Sequence, residues 1–296
     1  MSAPRTGTLA LAWVLVYGVW GSAYLAMQVA GQSLGPLCLS ALRGLGGGAL
    51  LYLLLRVQGG QLPSWRAWRQ WRDNAGIGIL IVGISSGLLA WGVQGASSGL
   101  VAVLFSTMPI FACLLGAALQ RTLPWRVLAG TLAGIGGIAL VYRAELGLHA
   151  QELLAAAVLG AAAVTAWASV WTERGHMPPH VLAAASMQLL TGGAAAGLAA
   201  WGMNEPQGPW TISAAGALLY LSAAVSAGGF WAFNVLTQHA GATAASTYAY
   251  INPLVALALG LLWKDERLSN AAYAGMALVL FGVYLVIAPR AAQRLR

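Results

Sequence analysis

From residue 8 onward this chain is a succession of apolar runs near 8–28, 35–56, 75–93, 96–119, 124–142, 152–172, 180–201, 212–236, 240–263 and 269–288, parted by short clusters of Gly, Pro and charge. Each run is close to the about 20 residues that a helix needs to cross the hydrocarbon layer of a bilayer. Only helices and closed barrels satisfy their backbone groups there, and runs without strict alternation point to helices. Ten helices use about 200 residues and leave about 9 for each connection, which excludes a separate water-soluble domain. Composition agrees: 59% of the residues are hydrophobic and 7% charged, against roughly 25% charged in a soluble domain. The expected fold class is an all-α membrane protein with ten transmembrane helices. Arg5 ahead of the first run gives it the look of a signal peptide, but its length and its place in a repeat make it a helix. Cys38 and Cys113 fall inside apolar runs and are expected to be free thiols.

An even number of spans returns both termini to one side, and Lys and Arg collect in cytoplasmic loops. With the N-terminus inside, the inner segments hold Arg5, Arg56, Arg66, Arg69, Arg72, Arg121, Arg126, Arg174, Arg290, Arg294 and Arg296. Arg143, Lys264 and Arg267 fall outside and Arg43 within a span. The net charge of +8 is therefore mostly a topology signal; a nucleic-acid footprint needs a water-facing surface that short loops lack. The expectation is a multi-pass protein of the cell inner (plasma) membrane with both termini cytoplasmic. Trp65-Arg66-Ala67-Trp68-Arg69-Gln70-Trp71-Arg72 repeats an aromatic–basic pair every three residues, which suits an anchor at headgroup level.

The two halves of the sequence are alike. Phe105-Ser106-Thr107-Met108-Pro109, followed by Gly116, aligns with Ala249-Tyr250-Ile251-Asn252-Pro253, followed by Gly260, at an offset of about 144 residues. Trp20 has a counterpart in Trp167. The expected units are residues 1–146 and 147–296, five helices each, and because five is odd the second enters the membrane from the opposite side. Pro109 and Pro253 sit inside their spans, where a missing N–H kinks a helix and frees a carbonyl. Matched interruptions in two halves point to a central site, with helix packing alone as the other reading.

Trp20-Gly21-Ser22, Ala41-Leu42-Arg43, the Pro109 and Pro253 helices and the Asp265-Glu266-Arg267-Leu268 turn before a Gly-rich last helix resemble the EamA family of the drug/metabolite transporter (DMT) superfamily over nearly the whole chain. The resemblance implies a ten-helix carrier whose central cavity is walled by helices 1, 3, 4, 6, 8 and 9, with helices 5 and 10 as outer support. It also implies transport of metabolites, often amino acid export, with YddG-like aromatic amino acid exporters as the nearest type. Gln120-Arg121-Thr122 departs from the acidic family pattern at the first-half turn, which puts any role of that position in doubt.

The aromatic and amide side chains within spans are the substrate-binding candidates. Tyr17, Trp20 and Tyr24, with Trp13, share one face of the first helix. Trp91 and Gln94 stand one step apart on the third, and Trp167 and Trp171 four apart on the sixth. On the eighth, Trp231, Asn234 and Gln238 share a face near Phe230. Tyr248 and Asn252 precede Pro253 on the ninth. Aromatic faces suit the ring or apolar part of a solute, and amides and phenols its polar end. Lipid anchoring of the rings and interhelical bonding of the amides are the alternatives. On the binding reading, Trp20→Ala and Trp167→Ala both reduce transport without loss of fold. Arg43 is the one clearly intramembrane charge, where an unpaired cation is costly; it can meet a substrate carboxylate, bond to backbone carbonyls or snorkel, and structural support is its favoured task.

No acidic residue falls inside any expected span, Glu152 standing at the very edge of the sixth, and His149, His176, His180 and His239 lie in loops or at helix ends. Neither a carboxylate for a cationic drug nor a proton relay is therefore at hand, which predicts a neutral, zwitterionic or anionic solute moved by facilitated diffusion or exchange. Gly83-Ile84-Ser85-Ser86-Gly87 fits the nucleophile pattern of hydrolases but lies in a helical span without a histidine at that depth. Phosphate-binding loops, metal-ligand clusters and rings of pore charge are missing from the sequence. The expectation is a secondary transporter of small metabolites, foremost amino acids including aromatic ones, and not an enzyme. Drugs, organic acids or nucleotide sugars are alternative cargo, and an intramembrane hydrolase or a channel the alternative classes. The expected partners are a small-molecule substrate and membrane lipids, with no nucleic acid, cofactor or metal, and a monomer suffices.

Overall fold

The computed structural model of the protein describes residues 6–120, 125–145, 149–239, 248–264 and 269–293. The side assignments of Arg5, Arg121, Arg267, Arg294 and Arg296, and the 265–268 turn, lie outside the described residues. Among those described, every regular element is helical. In chain order the apolar helices are α1 (Gly7–Ala30), α2 (Pro36–Val57), α3 (Trp68–Gly95), α4 (Ser98–Gly116), α5 (Trp125–Glu145), α6 (Glu152–Arg174), α7 (Val181–Gly202), α8 (Ile212–Leu236), α9 (Tyr248–Lys264) and α10 (Asn270–Gln293). Seven of them, α1 to α4 and α6 to α8, are long and apolar enough to cross a membrane. The others hold the shorter apolar stretches Leu128–Leu140, Ile251–Trp263 and Asn270–Leu285.

Leu132, Ile135, Leu153, Leu198 and Leu219 point outward, a surface suited to lipid tails rather than water. Trp65, Trp68, Trp125, Trp201, Trp210 and Trp263 are also exposed and stand at or beside helix ends, where amphipathic rings meet the headgroups. The third span begins earlier than its apolar run, because Trp68 opens the helix. Five of the eight residues of the aromatic–basic run are thus helical, with the Arg72 guanidinium 5.0 Å from the Trp68 ring. The same extension brings Asp73 into α3 at its polar end, a correction to the expectation that no acid lies in a span.

Small residues set the closest crossings. A Cβ on Gly137 of α5 would lie 2.6 Å from the Gly275 carbonyl oxygen of α10, and one on Gly282 of α10 2.5 Å from the Gly130 carbonyl oxygen of α5. Gly48 of α2 meets the Leu190 backbone of α7 in the same way, and Gly197 of α7 faces Ala41 of α2. Backbones approach this closely only where side chains are absent or minimal.

Several helices are irregular at mid-span. Leu15–Val19 in α1, Ile79–Ser85 in α3 and Leu221–Gly228 in α8 take the wider π-helical pitch. α4 is interrupted: its first piece ends at Phe105 and its second begins at Met108. The hydroxyls of Ser106 and Thr107 donate to the Val103 and Leu104 carbonyls at 2.6 and 2.7 Å. Pro109 therefore occupies the first turn of a new helical piece, where a missing N–H costs little, whereas Pro253 lies inside α9.

Candidate functional site: a central aromatic cavity

A wide helical turn leaves carbonyls without an intrahelical donor, and in a membrane a neighbour has to supply one. Each π-helical stretch has such a donor. The Trp20 indole N–H of α1 donates to the Val225 carbonyl of α8 at 2.9 Å. The Ser40 hydroxyl of α2 donates to the Val82 carbonyl of α3. With its amide nitrogen facing acceptors, Asn252 of α9 donates to the Val16 and Tyr17 carbonyls of α1, both at 3.1 Å. These bonds tie each irregular turn to a neighbouring helix: α8 to α1, α3 to α2 and α1 to α9.

Among these helices is a cavity of about 490 Å³. On one side an aromatic cluster closes it. The Trp20 ring lies 5.4 Å from Phe233, 6.2 Å from Phe230 and 5.2 Å from Tyr248, the contacts with Phe230 and Tyr248 being edge to face. Trp20 reaches this position by lying over Gly229, where a Cβ would sit 1.8 Å from its Nε1. Polar side chains line it as well: Ser85 donates to the Ala161 carbonyl at 3.1 Å and shares a 2.7 Å bond with the Thr165 hydroxyl. Arg43, Ser226 and Asn234 also line the wall. Asn234 donates to the Phe230 carbonyl at 2.8 Å.

Of the residues singled out from sequence, Trp20, Tyr24, Arg43, Asn234, Tyr248, Asn252 and Pro109 line this cavity. Pro253 stands one residue beyond it, lining a small side pocket. The others stand elsewhere. Trp167 is 63% exposed on the outer surface of α6, so the equivalence of Trp20 and Trp167 in sequence does not extend to their surroundings. Trp91 also faces outward. Trp171 packs over Gly76. Gln94 donates to the Leu34 carbonyl at 3.1 Å and so ties α3 to the end of the first hairpin. The Tyr17 ring pairs with Trp13 at 5.0 Å. Trp231 packs between helices, against the clusters around Leu236 and Leu189; the side chain of Gln238 lies outside the described residues. The π-helical stretch upstream sets the phase of this part of α8, so that Phe230, Phe233 and Asn234 face the cavity, which spacing along the sequence does not reveal.

Several lining residues escape a reading of the sequence. Gln188, a buried amide in α7, donates to Asn74 Oδ1 at 3.0 Å; it is an amide in an apolar run, the same signal that marks Asn234, and could have been found by it. Glu173 lines the cavity because α6 continues to Arg174. The expectation of a pathway without a titratable acid is corrected by its presence.

The two ends of the cavity differ. Thr172, Glu173, Met177 and Pro178 line it at the end where α6 gives way to α7. Nearby, the buried Asp73 accepts from the His176 backbone N–H at 2.8 Å and pairs with Arg72 at 2.6 Å. At the other end a clasp ties two connections together. The Glu205 carboxylate accepts from the Leu37 and Cys38 N–H groups at the start of α2, at 2.9 and 2.7 Å, and Gln207 accepts from the Gly35 N–H at 2.9 Å. The Ser33 hydroxyl donates to the Pro209 carbonyl at 2.7 Å. No residue of this clasp lines the cavity.

Comparison with known proteins bears on this arrangement. The EamA-like transporter family model matches the chain twice, over residues 8–143 and 154–288. The chain is 28% identical to the "Uncharacterized inner membrane transporter YedA" of Escherichia coli K12 over 92% of this chain and 88% of that protein. It is 24% identical to the "Uncharacterized transporter YoaV" of Bacillus subtilis over 90% and 92%. A solved crystal structure superposes with a TM-score of 0.65 over 97% of this chain and 99% of that one, at 19% identity, which is a likeness of fold.

Proposed function

The chain belongs to the EamA-like transporter family, and on that premise we propose that it is a secondary carrier of amino acids, aromatic ones included, working by alternating access around the Trp20 cavity. The supporting observation is a space of about 490 Å³, within the range of small-molecule sites, whose lining sets aromatic rings beside hydroxyl, amide and guanidinium groups. The ring of a solute packs against Trp20, Phe230, Phe233 and Tyr248, and its polar end meets Arg43, Ser226 and Asn234. Trp167, Trp91, Trp171, Gln94, Tyr17 and Trp231 are left to packing and lipid contact.

The architecture we propose is ten transmembrane helices in two inverted repeats, residues 1–146 and 147–296. Reciprocal contacts support it: Gly137 of α5 meets Gly275 of α10 while Gly282 meets Gly130, and Gly48 of α2 meets Leu190 of α7 while Gly197 meets Ala41. Exchange of partners between paired positions is what a pseudo-two-fold axis produces. The π-helical stretches Ile79–Ser85 and Leu221–Gly228 also stand apart by about the repeat offset. The location is the inner membrane with both termini cytoplasmic, as the distribution of Lys and Arg favours, and the cavity then opens toward the cytoplasm. The clasp at Glu205 is the closed outer gate. Rocking of the repeats about the irregular turns opens it and closes the opposite end.

The test is counterflow in proteoliposomes preloaded with unlabelled amino acids, with one labelled amino acid outside at a time. Accumulation of labelled phenylalanine, tyrosine or tryptophan above the equilibrium level supports the reading. Accumulation only with organic acids, nucleotide sugars or drugs inside overturns the substrate class, and none with any of these overturns carriage.

A further inference from the structure

We propose that Arg43 is the anion-holding group of the cavity, so that the solute carries a carboxylate set about one helical turn from an aryl or other flat apolar body. This deepens the reading above and rests on it. A guanidinium has five N–H donors in a rigid fork and no acceptor. In the structure Nε donates to the Ser226 hydroxyl at 3.2 Å and Nη1 reaches the Met27 sulfur at 3.1 Å. A thioether is a weak acceptor, and the serine contact is long. Among the described residues the ion pairs join Asp73 to Arg72 and to His176, and no acidic group pairs with Arg43.

A cation so placed is expensive unless something neutralises it. The protein keeps it anyway, in the wall of a cavity large enough for a solute. A neutral solute leaves that cost unchanged. A carboxylate removes it, because two parallel N–H···O bonds match the guanidinium fork. Glu173, the acid among the described lining residues, stands with Met177 and Pro178 where α6 gives way to α7, and the ion pairs of the described residues do not join it to Arg43.

The neighbours of Arg43 fix the shape of the ligand. Ser226, which touches the guanidinium, lies one turn before Phe230 on α8, a rise of about 6 Å. Phe230 in turn is 6.2 Å from the Trp20 ring. The anion site and the aromatic wall are therefore adjacent along α8. A compound whose ring and carboxylate are joined by a short chain reaches both, whereas acetate or benzene alone reaches one.

Equilibrium binding to the purified full-length protein, with labelled 3-phenylpropionate and its isosteric amide 3-phenylpropionamide as probes, tests this. The wild type is expected to bind the carboxylate at least tenfold more tightly than the amide. Arg43→Gln is expected to bring the ratio of the two affinities to within about twofold, whatever its effect on the amide alone. Arg43→Lys, which keeps the charge without the fork, is expected to retain part of the preference. An equal affinity of the wild type for the two probes overturns the proposal, as does an undiminished preference in a folded Arg43→Gln protein. Should that variant not fold, the ratio of the two affinities in the wild type still decides for or against the proposal. If counterflow proceeds with solutes that no carboxylate displaces, carriage stands and the Arg43 assignment falls. If the carboxylate binds selectively and no solute is ever moved, the assignment stands and carriage falls.

Discussion

The Trp20 indole N–H donates to the Val225 carbonyl at 2.9 Å, and this bond joins the first helix of the chain to the π-helical stretch of α8. The carbonyl is available because the wide turn frees it, and the indole reaches it because Gly229 lets the ring lie flat on the helix. One side chain thus satisfies the backbone and forms the aromatic wall. Gly229→Ala is expected to push the ring off, leaving Val225 unpaired at a cost of about 1–3 kcal/mol, and to lower transport by about tenfold or more with the protein still folded. Initial uptake rates of the two proteins, reconstituted at equal density, check this.

Trp20 and Trp167 occupy equivalent places in the repeat but opposite environments, one in the cavity and one 63% exposed. Trp20→Ala is expected to cut uptake by about tenfold, in line with the 3–5 kcal/mol scale of aromatic truncation shared between fold and site. Trp167→Ala is expected to leave it within about twofold, because an outward ring contributes little beyond lipid contact. A large loss in the second variant would return the sixth helix to the binding surface.

The Asn74–Gln188 pair links α3 to α7 in a fully buried position. Gln188→Leu strands the Asn74 carbonyl oxygen, a loss of about 1–3 kcal/mol. Thermal unfolding in detergent is expected to shift downward, and because Asn74 also donates to the Gln70 carbonyl at 2.9 Å, the double variant with Asn74→Leu is expected to shift by less than the sum of the two single variants. Additive losses in the double variant would mean that the two amides do not act as a pair.

Glu205 holds the N-terminus of α2 through two N–H donors, and charge-assisted bonds of this kind are the stronger ones. In a Cys113→Ser background, Glu205→Ala is expected to raise the rate at which maleimide alkylates Cys38 by several-fold, since Cys38 is one of the groups the carboxylate holds. An unchanged rate would show that the clasp is not a gate.

Much of the fold is legible in the sequence because span length and residue polarity are set by the bilayer and not by partners. The seven long helices fall on seven of the expected runs, and Trp20, Tyr24, Asn234, Tyr248 and Asn252 are accessible on one ground: polar or amphipathic side chains in apolar spans need a reason. The rest depends on rotation about helix axes. A three- or four-residue step places Trp167 beside Trp171 as readily as Tyr24 beside Trp20, yet which face looks inward follows from packing against other helices. The π-helical turns are hidden as well, since no residue type in Leu221–Gly228 marks an extra residue per turn. The start of α3 is concealed by charge, with Arg69, Arg72 and Asp73 reading as loop although Trp68 and Trp71 give the segment an anchored helical face.

The central claim is that solute passes through the Trp20 cavity, and a cysteine placed in its wall tests this most directly. Ser169 lines the cavity and its hydroxyl donates within its own helix, to the Thr165 carbonyl at 2.8 Å. In a Cys38→Ser, Cys113→Ser background, Ser169→Cys is expected to support counterflow until maleimide labels it, after which accumulation stops, and excess solute is expected to slow the labelling. Full accumulation by completely labelled protein would contradict the account.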